Sequence, residues 1–324
     1  MARALLRISW APLFVLGLAC GCQRPHPEAT YLSSAVDSLY RYSLYQARLN
    51  RDDLRRTALA PLTDTSSRAH SHAILHALAL RLDRHSGLLV PAQVRAEMRP
   101  ESDPAMAFPF SFRMLEERIA LVRVDGFGKG DSLSCGLYAD SLQRAVLQLH
   151  AQAPIGWLID LRQNTGGNLY PMLAGLGPLL ACGDLGREVD ARGGREAWWY
   201  CRDKDHPEGA SHITLVRSPV VLQRGLTAIV LIGRHTASAG EALAMSFIGR
   251  PATRFFGERT AGYTTGNHMC FLADSAILNI TTSVMMDRAG NTHPEGIAPD
   301  LPFGTEEEAF MAAVDSLLHR AKSR

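Results

Sequence analysis

The sequence predicts an α/β protein with a small helical region ahead of the main unit. Three observations carry this. Across 324 residues, hydrophobic side chains make up 46% and charged ones 20%, a globular composition with enough apolar material for a sizeable core. Apolar positions before residue 82 recur at helical spacing. After Pro109, short apolar runs alternate with helical patterns, as in an α/β arrangement.

The elements follow in chain order. Arg3 and Arg7 precede a mainly apolar run of twelve residues, Ile8 to Ala19. That is short of the ~20 residues a bilayer span needs, so the segment reads as a secretory leader. Leu18-Ala19-Cys20-Gly21-Cys22 is similar to a bacterial lipobox, with Cys22 as the acylated residue and Ala19 where leucine is usual. An ordinary cleaved leader is the alternative. Either way an extracytoplasmic protein is expected, periplasmic or at the cell surface, lipid-anchored if Cys22 is acylated.

Leu32, Val36, Leu39, Tyr40 and Leu44, then Ala73 to Leu82, predict helices. Pro100, Pro104 and Pro109 mark a connector. Strands are expected at 119–124, 156–161, 228–233 and 278–285, with helices at 140–152, after Asn168, from Thr236 and at 306–321. The expected organisation is a leader at 1–22, a helical region and connector at 23–105, and the main α/β unit at 106–324.

Charge and cysteines exclude some classes. The net charge is +2 with no basic block, and 31 of 34 cationic side chains are arginine, which argues against a nucleic-acid partner. Cys135, Cys182, Cys201 and Cys270 match no paired zinc spacing. Cys182 and Cys201 form the nearest candidate disulfide, and four free thiols are the alternative. No metal and no cofactor are expected.

Four segments carry candidate chemistry. Thr227 to Gly233 is a strand that turns through Ser238 into a helix. A serine there faces the unpaired amides and partial positive charge of a helix N-terminus. Ser238 and Glu241 also match a capping box, so stability alone would explain the serine. Trp157 to Leu161 is a buried strand ending near Gly166-Gly167, where glycines let backbone approach a ligand. Leu82-Asp83-Arg84-His85-Ser86-Gly87 holds a histidine at the end of the helical region, and Pro294-Glu295-Gly296 holds a glutamate in a shaped turn.

Taken in this order, the segments resemble peptidase family S41, the tail-specific or C-terminal-processing serine proteases. The matching pieces are Asp160-Leu-Arg-x-Asn-x-Gly-Gly167, Ser238-Ala-x-Glu241, Gly257-Glu-x-Thr260-x-Gly262 and Gly296-Ile-x-Pro-Asp300. The resemblance implies a crotonase-like ββα catalytic core over 106–324. Too few residues separate His85 from Ile119 for the PDZ domain often inserted there. Tyr263 stands where the Ser–Lys branch has its lysine, and none of the three lysines lies in a matching motif. The resemblance therefore points to the tricorn-like Ser-His-Glu branch.

That branch implies Ser238 as nucleophile, His85 as general base and Glu295 as the carboxylate orienting it, acting on a polypeptide substrate. The backbone amides of Ala239 and of Gly166 or Gly167 would form the oxyanion hole. His235 and His293 are rival bases. His70, His72 and His76 are read as a solvated helix face. Asp160, Arg162 and Asp300 are expected to be structural. Two other functions fit parts of the pattern: a catalytically inactive, lipid-anchored carrier of an apolar ligand on the same fold, and an acyl-CoA enzyme, which the export leader argues against.

Overall fold

The computed structural model describes residues 26–97, 108–116, 118–180, 182–200, 220–222 and 226–322. The leader with Cys22 lies outside them, as does Cys201.

The chain opens with three helices, α1 (Pro27–Tyr42), α2 (Arg51–Leu59) and α3 (Arg68–Leu82). Asn50 and Ser67 cap α2 and α3 by accepting from first-turn amides. Strand β1 (Gly87–Leu89) and helix α4 (Pro91–Glu97) follow. Then come β2 (Phe110–Leu115), β3 (Ile119–Val124), α5 (Ser132–His150), β4 (Gly156–Asp160) and α6 (Leu169–Leu180). A hairpin of β5 (Gly183–Asp190) and β6 (Arg195–Tyr200) precedes β7 (Ala228–Ile232), α7 (Ala239–Met245) and β8 (Thr253–Gly257). The chain continues through β9 (Thr265–Phe271), β10 (Ile277–Met286), β11 (Leu301–Pro302) and α8 (Glu306–Lys322).

Two sheets result. The larger has the order β11-β8-β7-β4-β3-β2 and is parallel apart from β2. Its central strands are buried on both faces, which is why they read as unbroken apolar runs. Successive residues serve opposite faces. Trp157, Ile159, Val230 and Ile232 pack with residues of α5, α6 and α7, while Leu158, Ile229 and Leu231 pack with α8 through Ala313 and Leu317. Arg162 closes the end of β4 with a two-pronged bond to Asp160 and donates to the Glu306 carbonyl at the start of α8.

The smaller sheet runs β1-β10-β5-β6, with β9 on the other edge of β10. One face, at Ala276, Leu278 and Ile280, packs against Leu32, Val36, Leu75 and Ala79 of α1 and α3. The helical region predicted from apolar spacing is therefore present and covers this sheet. Two expected helices begin elsewhere. α5 starts eight residues before Asp140, with Asp131 as its cap, and α7 starts at Ala239 because the backbone at Ser238 is not helical. Cys182 is disulfide-bonded, and Cys135 and Cys270 are free.

Candidate active site

The turn between β7 and α7 is fixed before any side chain is considered. The Thr236 hydroxyl donates to the Leu161 carbonyl at 2.8 Å and accepts from the Gly233 amide at 3.0 Å. The Ala237 amide donates to the Asn164 carbonyl, and the Ala261 amide to the Thr236 carbonyl, both at 3.0 Å. These bonds hold Ser238 at φ 52°, ψ −121°, an unfavourable conformation for a residue with a Cβ. The capping box is present, with Glu241 Oε2 accepting from the Ser238 amide at 3.1 Å. A cap needs only extended backbone, so capping does not account for the strain.

The Gly-Gly turn lies directly against this serine. Gly166 has φ +108°, and a Cβ there would come within 2.9 Å of the Ser238 Cβ and 3.2 Å of the Ala239 nitrogen. Gly167 has φ +106°, and a Cβ there would run into the Phe127 carbonyl. The two candidate donors at this turn differ. The Gly166 amide is taken by Asn164 Oδ1 at 3.0 Å. Phe127 pairs with the groups on either side of Gly167, accepting from Asn168 and donating to the Gly166 carbonyl. The amides of Gly167 and Ala239 have no hydrogen-bond partner among the described residues.

His85 follows α3 on a loop pinned to the smaller sheet. Asp83 Oδ1 accepts from the His85 amide at 2.7 Å and from the Thr281 hydroxyl at 2.8 Å. The His85 carbonyl accepts from Asn267 and Asn279, and Ser86 Oγ accepts from the Thr281 amide. The Asp-x-His-Ser segment is thus a set of anchors around one imidazole. Its Nδ1 lies 2.8 Å from Thr265 Oγ1, at the start of β9. Burial lowers the pKa of this histidine, Arg84 lowers it further and Asp83 opposes them.

A short relay joins histidine and serine. The His85 ring packs on Tyr263 with centroids 5.0 Å apart. The Tyr263 amide donates at 2.7 Å to Glu241 Oε2, the oxygen that also accepts from Ser238. Oε1 of Glu241 accepts from Thr260 Oγ1 at 2.5 Å and from the Gly262 amide at 2.8 Å. Glu241 is fully buried, and burial raises its pKa against these four bonds. Tyr263 is the residue that the sequence resemblance sets against the lysine of the Ser–Lys branch. It supplies a ring to the histidine and an amide to the glutamate.

The structure does not bring the expected third member to the imidazole by a hydrogen bond. Glu295 is exposed, and its carboxylate takes no hydrogen bond among the described residues. Its segment turns on backbone contacts: Gly296 donates to the His293 carbonyl, and the Ile297 amide donates to Thr260 Oγ1 at 2.7 Å. Main chain, not carboxylate, faces the Thr260–Tyr263 loop there, since a Cβ on Gly262 would lie 3.2 Å from the Glu295 carbonyl carbon. The rival histidines are engaged or outside: His293 pairs with Asp287 at 3.1 Å, and His235 is exposed. His72 pairs with Asp274 at 2.7 Å, and no metal-ligating cluster of three side chains exists among the described residues. Sequence reading missed Thr265, which sits in a polar strand with no motif, and gave Glu241 only a capping role.

The structure is that of an α/β protein whose largely parallel sheet presents a strained serine beside a Gly-Gly turn. The model of peptidase family S41 matches residues 118–303, more than half of the chain, and the chain belongs to that family. No inserted PDZ domain is evident among the described residues. A nisin-resistance protein of Lactococcus lactis is 32% identical over 188 residues, 58% of this chain and 57% of that protein. The chloroplastic C-terminal processing peptidase of Tetradesmus obliquus is 28% identical over 166 residues, 51% of this chain and 32% of that protein. The aligned part thus falls short of two thirds of either relative. Among solved structures, a lipoprotein from Streptococcus agalactiae superposes with a TM-score of 0.74 at 26% identity, covering 97% of this chain and 100% of that one. The photosystem II D1 C-terminal processing protease shares the fold, with a TM-score of 0.62 at 16% identity over 86% of this chain and 93% of that one.

Proposed function

We propose that this chain hydrolyses peptide bonds through an acyl-enzyme on Ser238. The observation that carries the reading is the strained Ser238 turn, with Gly166 packed against it and the Gly167 and Ala239 amides without partners among the described residues. A serine hydroxyl is a weak nucleophile at neutral pH and needs a base. His85 takes that role. With its proton on Nδ1, donated to Thr265 Oγ1, the ring presents Nε2 as the acceptor. The Ser238 Oγ–carbon bond forms as the proton passes to Nε2, and the carbonyl oxygen becomes an oxyanion facing the two amides. The C–N bond then breaks, and the departing amine takes the proton back. Water attacks the acyl-enzyme by the same route, releasing the acid and regenerating the hydroxyl.

The orienting role assigned to Glu295 from sequence passes in this reading to Thr265, a neutral group. The substrate is a polypeptide, and the similarity to a nisin-resistance protein makes nisin the first peptide to try. We propose export and acylation at Cys22, supported by the leader and by the likeness to a streptococcal lipoprotein. No helix among the described residues is long and apolar enough to cross a membrane.

A fluorophosphonate probe tests the chemistry. Labelling of Ser238 that is lost in Ser238→Ala and falls steeply in His85→Ala supports the reading. Absent labelling together with tight binding of a hydrophobic ligand would assign the fold to the carrier function instead.

A further inference from the structure

The strand that holds the base continues past the candidate site. β9 pairs only with β10 among the described strands, leaving its other edge open. Thr265, Asn267, Met269 and Phe271 share one face by the two-residue period of a strand. At the near end, Thr265 binds the His85 ring and Asn267 binds the His85 carbonyl. At the far end, Met269 and Phe271 are 57% and 66% exposed, two large apolar side chains left in water side by side. The opposite face turns toward the helical region, with His268 exposed at its margin. His268 packs on Tyr42, while Cys270 and Leu272 pack against the core under α1 and α3.

We propose that Met269 and Phe271 form a docking strip for apolar side chains of the polypeptide substrate, which lies extended along β9. This rests on the peptidase reading and names the class of substrate segment. The occupant follows from continuity with the candidate site: the strip shares its strand and face with the residue that holds the base. An unpaired strand edge accepts an extended chain through backbone hydrogen bonds, and alternate side chains supply selectivity. At about 3.4 Å per residue, Met269 and Phe271 stand roughly 13 and 20 Å along the strand from Thr265. The favoured substrate therefore carries two apolar residues in an i, i+2 pair, about four and six positions from the substrate residue that lies beside Thr265.

Binding can be measured apart from catalysis in full-length Ser238→Ala protein. The probes are two fluorescent, unstructured peptides of about twelve residues, ~40 Å when extended. One carries Phe-x-Phe near one end, and the other carries Ser-x-Ser there. The apolar peptide is expected to bind about ten-fold more tightly, a range typical of one lost apolar contact. That preference is expected to vanish in Met269→Ser/Phe271→Ser, whose substitutions lie on exposed positions. Equal affinity for both peptides, or a preference that survives the double substitution, overturns the strip. So does a fall in sedimentation mass on double substitution with the peptide preference intact, since the strip would then join copies of the chain. Failure of fluorophosphonate labelling in the unmodified protein would count against the peptidase reading and leave the binding result to judge the strip.

Discussion

The Nδ1 atom of His85 lies 2.8 Å from the hydroxyl of Thr265, across 180 residues of sequence. This contact fixes the orientation of the ring without placing a negative charge beside it, and it accommodates the Nδ1–H tautomer that the proposed base role needs. A hydroxyl fixes orientation but stabilises an imidazolium less than a carboxylate would. Thr265→Val is expected to lower kcat about five-fold with little change in KM, as loss of one hydrogen bond of about 1 kcal/mol predicts. Thr265→Ser is expected to restore most of the rate. If valine and serine variants turned over peptide equally fast, the threonine would be packing alone.

The same histidine sets a pH dependence. Burial disfavours its charged form, and the neighbouring Arg84 acts in the same direction, with Asp83 opposing. In the proposed mechanism the neutral ring is the base, so kcat/KM is expected to rise as the proton leaves. The midpoint of that rise is expected below the ordinary histidine value of about 6.5. Arg84→Gln removes a cation and is expected to move the midpoint upward. A pH profile of peptide cleavage for both proteins checks the position and the sign, and a midpoint above the ordinary value in the unmodified protein would contradict the burial argument.

Much of this was legible in the sequence because apolar period and glycine placement are local signals. The doubly buried strands β4 and β7 announce themselves as unbroken apolar runs, and Gly166-Gly167 and Ser238 stand at their C-terminal ends. Family resemblance, confirmed by the match over residues 118–303, joined pieces that were individually weak. The β5–β6 hairpin and β9 were not readable. β5 and the start of β9 are polar and glycine-rich, as in Gly183-Asp-Leu-Gly186 and Thr265-Gly-Asn-His268, the apolar residues of β6 and β9 come in runs of three or four without alternation, and β5 and β9 take their pairing from β10 while β6 takes its from β5. For the same reason Thr265 was invisible: its role depends on a loop that arrives from residue 85. The expectation for Glu295 rests on the resemblance to the Ser-His-Glu branch, which implies a glutamate at that turn. The local turn chemistry that directs the backbone of Glu295 inward and leaves its carboxylate exposed is not encoded in that motif.

The Gly-Gly turn gives a prediction about space. A methyl group at residue 166 would meet the Ser238 Cβ at 2.9 Å while forcing φ +108° on a non-glycine residue. Gly166→Ala is expected to displace Ser238 from its amides and reduce fluorophosphonate labelling about 100-fold, the order seen when an oxyanion donor is lost. Gly167→Ala would collide with the Phe127 carbonyl and is expected to act similarly. Circular dichroism should show both variants folded. Labelling at the unmodified rate in folded Gly166→Ala would mean that the two segments do not act as one site.

Glu241 gives the last and most severe test of how the site is assembled. Its two oxygens accept four bonds from Ser238, Thr260, Gly262 and Tyr263, so one buried carboxylate ties the nucleophile turn to the loop beside the imidazole. Glutamine has the same shape but replaces one acceptor oxygen with an NH2 donor. Whichever way the amide turns, two donors would face a donor, and each buried group left unpaired costs about 1–3 kcal/mol. Glu241→Gln is therefore expected to lower stability by about 3 kcal/mol, or roughly 4–5 °C in Tm for a chain of this size. Labelling of Ser238 should fall with it, because the serine amide loses its fixed partner. Glu241→Ala would lose the same contacts and leave a cavity, so the two variants should rank with alanine no more stable than glutamine. Unchanged Tm and labelling in Glu241→Gln would show that the turn holds its strained conformation through Thr236 and Asn164 alone, and that the glutamate only caps the helix.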